Sequence, residues 1–200
     1  MRTKNVLLVV VVAFLTSIAL AATVKMPPAP TVTVEGATPH GLTVALVVGP
    51  ELRDAIHVVK TSPFDTMKFA TGAFTADLFR QSLPALFAGL EVVEAEPAQV
   101  TTDLVLELTI VSFDLVIPHP AYNPYVSSVV YRVEVRDASG EKVFTQTATG
   151  SGQTSKGMMS GFKAKGLSAE AAKLAMVDAA TQILEGLAEA EELRELTPEV

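Results

Sequence analysis

Residues 127–136 alternate without a break. Val129, Tyr131, Val133 and Val135 fall on one side; Val130, Arg132, Glu134 and Arg136 fall on the other. Successive side chains of a strand point to opposite faces, so this pattern predicts a strand with one covered face. Asp137-Ala138-Ser139-Gly140 follows with turn chemistry, and 141–149 returns as a partner strand. A hairpin of this kind commits the chain to a sheet and to something that packs on one side of it. Upstream, 103–116 places Leu104, Leu106, Leu108 and Ile110 on one face, while 42–48 is a β-branched apolar run closed by Gly49-Pro50. Segments 55–60 and 90–95 are weaker strand candidates.

Two stretches have helical spacing. In 71–90, Phe74, Leu78, Phe79, Leu83, Leu86 and Phe87 recur at three and four residues, with Pro84 predicting a kink and Gly89 a stop. A longer helix is expected from Ser168 as N-cap, with Leu167 stapling back and Glu170 in the first turn. Leu174, Val177, Ile183, Leu184 and Leu187 would form its apolar face, its alanines would allow close approach to a sheet, and 189–195 would reach solvent. Between hairpin and helix, 150–166 contains five glycines and no periodicity, which predicts a mobile loop. The resulting fold class is α+β: two layers, a mostly antiparallel sheet of about five to six strands, and two helices on one face.

The N-terminus concerns location. Arg2 and Lys4 precede an apolar run over 6–20 that ends in Ala19-Leu20-Ala21, the layout of a secretory signal peptide with a small-x-small cleavage pattern. The expected location is therefore the periplasm, with an uncleaved inner-membrane tether as the alternative. The chain divides into a signal peptide or anchor at 1–21, a Pro-rich linker at 22–40 carrying Met26-Pro27-Pro28-Ala29-Pro30, and a single domain over 41–196. Leu20-Ala21-Ala22 resembles the start of a lipoprotein cleavage box, but Thr23 stands where the lipidated Cys belongs.

Composition narrows the chemistry. The formal net charge is −7, and it becomes more negative without Arg2 and Lys4; such a body disfavours nucleic acid. There is no Cys, which removes thiol nucleophiles, disulfides and thiolate metal sites, and no Trp, which weakens a sugar-binding reading. The run Gly150 to Lys156 fails as a phosphate loop because Ser155 precedes the Lys and Gly157 follows it. His40, His57 and His119 lie far apart, with no metal-ligand spacing. No Gly-x-Ser-x-Gly elbow is present, and Gly157-Met158-Met159-Ser160-Gly161 matches only half of one. Acid pairs such as Asp54 with Asp65, or Glu94 with Glu96, read as solvated surface. The chain is expected to be no enzyme and to use no cofactor, nucleotide or metal; a hydrolase, the remote alternative, would need an acid gathered with His119.

Two segments are candidate contact loops. The first, 117–125, presents His119, Tyr122 and Tyr125 among three prolines; Tyr offers contact area at low entropy cost. The second, 156–165, sets Met158, Met159 and Phe162 among three lysines and suits a partner groove or a lipid surface. Envelope proteins are the expected partners, with lipid or cell-wall fragments as the alternative.

The run 42–54, the segment Leu83-Pro84-Ala85-Leu86-Phe87-Ala88-Gly89 leading into 90–93, the Val135-Arg136-Asp137-Ala138-Ser139-Gly140 hairpin and the Ala-rich last helix together resemble small bacterial envelope lipoproteins of the YajG type. Auxiliary lipoproteins of envelope transport and assembly systems are similar in outline. The resemblance covers residues 41–193 and implies a periplasm-facing α+β domain that binds proteins or envelope components. It carries over no catalytic residues, and Thr23 departs from the family where lipidation would occur.

Overall fold

The computed structural model describes residues 22–62, 65–95, 101–118, 124–154 and 161–196. In chain order the strands are β1 (Ala22–Val24), β2 (His40–Val47), β3 (His57–Ser62), β4 (Asp65–Phe69), β5 (Phe87–Val93), β6 (Leu104–Val116), β7 (Val126–Asp137) and β8 (Lys142–Gln153). The helices are α1 (Pro50–Arg53), α2 (Thr71–Ser82), α3 (Gly161–Glu189) and α4 (Glu191–Glu195). A five-stranded sheet runs β5-β2-β6-β7-β8, and a three-stranded sheet runs β1-β4-β3. The fold is α+β, as expected.

The hairpin of β7 and β8 forms as its alternation predicts. Val129, Tyr131, Val133 and Val135 are fully buried. At the turn, the Asp137 carboxylate accepts from Ser139 N at 2.8 Å, Ser139 Oγ at 2.7 Å and Glu141 N at 2.9 Å. Gly140 takes the positive φ of +85° that closes it. The helices cover this apolar face. Tyr131 meets Phe79 of α2 edge-on at 6.0 Å, and its hydroxyl donates to Thr75 Oγ1 at 2.8 Å. Thr75 in turn donates to Thr71 O at 2.8 Å. Burial pushes the Tyr131 phenol well above its ordinary pKa.

Four expectations need correcting. The large sheet is mixed rather than mostly antiparallel: β2 pairs parallel with both β5 and β6, while β6–β7 and β7–β8 are antiparallel. The route from β2 to β5 passes through α2, and a helical crossover permits parallel pairing. The helix expected over 71–90 stops at Ser82; a single 3-10 turn, Leu83–Ala85, holds Pro84, and Leu86 and Phe87 enter the core from the turn and β5. Proline cannot donate to the preceding turn, so the chain leaves the helix there.

The third correction concerns 150–166. Gly150, Gly152 and Gln153 belong to β8, and α3 already begins at Gly161, so Ser168 is an interior helical residue, buried, rather than an N-cap. A Cβ on Gly150 would fall into the backbone of Ala175 and Ala179, and one on Gly152 into Ala171 and Ala175. The seam is therefore glycine against alanine, with Ala171, Ala175 and Ala179 fully buried. Leu174, expected on the apolar face, is exposed instead. Finally, 22–40, expected as a Pro-rich linker or as an entry into the domain by an edge strand, packs onto the domain in the second way. It contains β1, which pairs with β4, and buries Val24 and Val32; Val32 N donates to Ser82 Oγ at 2.9 Å.

Candidate functional site

Two neighbouring features have the form of a binding surface: an open sheet face and a cleft beside it. On the face of β6–β7–β8 turned away from the helices, the register aligns Glu107 with Glu134 and Thr145, and Thr109 with Arg132 and Thr147. Further along come Ser112, Val130 and Thr149, and then Val116 with Val126 and Gln153. Large apolar side chains remain in solvent here: Val111 is 54% and Val116 62% exposed. Glu134 sits at the centre of the charged end. It takes Lys142 Nζ at 2.7 Å, Arg132 Nε at 3.5 Å and Arg136 Nη2 at 3.6 Å. The Lys142 hydrogen bond, aided by the charges of Arg132 and Arg136, holds the Glu134 carboxyl below its ordinary pKa.

The cleft, about 590 Å³, opens where β2 leaves the sheet. Its apolar wall comes from Leu52 of α1, Ile56, and Leu108 and Ile110 of β6. Glu51, Glu94, Glu107 and His57 supply polar groups. This volume is in the range of small-molecule pockets. Arg53 pairs with Glu94 at 3.0 Å on the exposed rim. The His57 ring leans on Phe113 at 5.2 Å, and Nδ1 donates to Thr71 Oγ1 at 2.8 Å while that hydroxyl donates to Ala55 O at 3.3 Å. This assignment leaves Nε2 as the acceptor. Burial lowers the His57 pKa, and the negative charge of Asp114 partly opposes the shift.

The candidate contact residues are placed unevenly. His119, Tyr122, Met158 and Met159 lie outside the described residues, and Phe162 lies in the first turn of α3 with its side chain outside them. Tyr125 is buried in the core rather than offered as contact area. Its N–H donates to Thr154 Oγ1 at 3.3 Å, and its carbonyl accepts from Thr154 N at 3.1 Å, so it seals the end of the β7–β8 ladder. The histidine that shares the cleft lining with acidic groups is His57, to which the spacing of the three histidines in the chain assigns no site. His40 is a structural bolt: buried, stacked on Phe87 at 5.6 Å, and donating from Nε2 to Leu187 O at 2.9 Å. The shared placement of Glu51, His57, Glu94 and Glu107 along one cleft arises only from the tertiary fold, and no spacing in the chain announces it. Among the described residues no group of three or more His, Cys, Asp or Glu could hold a metal ion, and no helix is long and apolar enough to cross a membrane.

The fold is shared with a solved bacterial protein. A Xanthomonas campestris protein of the DUF330 family superposes with a TM-score of 0.53 over 88% of this chain and 99% of its own, at 11% sequence identity. Two other solved structures are similar to smaller extents. One is a candidate lipoprotein from Caulobacter crescentus (TM-score 0.34, 15% identity, 46% of this chain and 69% of that one). The other is lipoprotein GNA1162 from Neisseria meningitidis (TM-score 0.33, 12% identity, 72% and 98%). No family model matches the chain, and no curated protein sequence matches it.

Proposed function

We propose that this protein is a non-enzymatic accessory or assembly protein of a bacterial cell envelope, facing the periplasm and acting through protein contacts. The observation that carries this reading is the uncovered sheet face, where Val111, Val116 and Val126 stand exposed among threonines and paired charges. Exposed apolar groups ringed by polar ones are the composition of a contact surface. The export-like N-terminus supports the envelope setting, and the YajG likeness belongs to the same reading. A photo-crosslinking residue in place of Thr109 in cells, read by mass spectrometry, should capture one reproducible envelope protein. The same residue at Ala138 should not. Equal, non-discrete capture at both positions overturns the proposal.

The cleft favours a second reading, a module for a small envelope-derived ligand such as a lipid or cell-wall fragment. Its 590 Å³ volume, apolar wall and acidic rim fit an amphiphile with an amino group. Native mass spectrometry of gently purified protein should then show an adduct that Ile56→Glu, at an exposed cleft residue, removes. An empty protein, or an adduct untouched by that substitution, eliminates this reading.

A further inference from the structure

The three-stranded sheet also has one face turned outward. β1 pairs parallel with β4 and β4 pairs antiparallel with β3, so Thr23, Lys68 and Val58 share a row and Lys60 and Thr66 form the next. Their alternates, Val24, Met67 and Phe69, are in the core. Lys60, Lys68 and Thr23 are exposed, as is Lys25 just beyond β1. Val58 and Ile56 are each 56% exposed beside them. Among the described side chains of these rows there is no carboxylate. On a chain whose net charge is −7, this is a local concentration of positive charge and bare apolar surface.

Chain continuity says what should cover it. The apolar stretch 6–20 carries no charged residue, and in the sequence only Ala21 separates it from Ala22, the first residue of β1. Any bilayer that held 6–20 would lie within a few residues of this sheet. Lysines near an anionic lipid surface gain electrostatic attraction, and neighbouring aliphatic side chains can enter the interface. We propose that the outer face of the β1-β4-β3 sheet is a membrane-apposed surface that docks on anionic phospholipid headgroups. The open face of the large sheet then remains free for a protein partner, so the two contacts do not compete.

The chain lacks Cys, so Val58→Cys and Ala138→Cys each create a single labelling site. The full chain, labelled with a fluorophore, would be reconstituted in phosphatidylcholine vesicles with or without phosphatidylglycerol, and a headgroup-attached quencher added. Position 58 should be quenched several-fold more than 138 in the anionic vesicles. Replacing Lys60 and Lys68 by Glu should reduce that preference, with each lost lysine weakening the attraction about fivefold, and added salt should do the same. Quenching equal at the two positions overturns the proposal. So does a preference for 58 that is unchanged without phosphatidylglycerol, since a tether alone would then explain it. A label at 58 shielded before any vesicle is added overturns it in favour of a protein occupant.

Discussion

The two faces of the five-stranded sheet use opposite solutions. On the inner face, backbone meets backbone: β8 presents Gly150 and Gly152, α3 presents Ala171, Ala175 and Ala179, and no atom can be added between them. On the outer face, β-branched and ion-paired side chains face solvent, and Val111 and Val116 give away burial that the inner face would have used. The inner face is specified by shape, so it tolerates little change. The outer face adds little to folding stability and is therefore free to be selected for contact.

The largest effect should come from the inner seam. Gly152→Ala places a methyl group in the backbone of Ala171 and Ala175, which must move apart, and overpacking of this kind costs up to about 3 kcal/mol. Chemical denaturation should show the loss as a lower midpoint with an unchanged slope. Gly166→Ala, where a Cβ meets nothing, should leave the midpoint unchanged or raise it. Equal midpoints for the two variants would show that the seam is looser than its geometry.

The next effect tests the polar link in the same core. Thr75→Val leaves the buried Tyr131 hydroxyl without its acceptor and should cost about 2 kcal/mol. Tyr131→Phe removes the donor instead and leaves Thr75 bonded to Thr71 O, so its cost should be about 1 kcal/mol. The order of the two variants matters more than either value. Reversal would mean that the Thr75 hydroxyl, rather than the phenol, is the group in need of a partner.

A smaller, pH-dependent term belongs to the exposed side. The Asp103 carboxylate accepts from Thr43 N and from Thr43 Oγ1, both at 2.7 Å, where β6 joins β2. The Thr43 backbone hydrogen bond, then its hydroxyl, holds the Asp103 pKa below the ordinary carboxylate value. Its stabilisation is therefore complete above the unfolded-state pKa and fades as pH falls through the folded one. Asp103→Asn should flatten the acid end of the stability profile by lowering stability at neutral pH toward its acid value, a small loss because the group is largely exposed.

What could be read from the chain follows from the range of each signal. The β7–β8 hairpin was legible because alternation and the Asp137-Gly140 turn are local. The end of β8 was not, because glycine has no side chain with which to alternate; its reason for being glycine stands on α3, at Ala175 and Ala179. Parallel pairing of β2 was likewise hidden, since a buried apolar strand looks the same in either direction. The cleft assembles Glu51, His57, Glu94 and Glu107 from four separate segments, so only the tertiary fold brings them together.

The smallest effect on stability carries the largest functional contrast. Val111 and Val116 are more than half exposed, so Val111→Ser with Val116→Ser removes little burial and should change stability by less than about 0.5 kcal/mol per site. If the outer face is the protein-contact surface, the same double variant should sharply reduce crosslinking from Thr109, because apolar anchors at the centre of an interface carry most of its binding energy. A stable variant with lost crosslinking separates the two faces: one folds the protein, the other makes its contact. A variant that keeps full crosslinking would move the contact to the charged end around Glu134, where Lys142→Glu would be the next substitution to lose it.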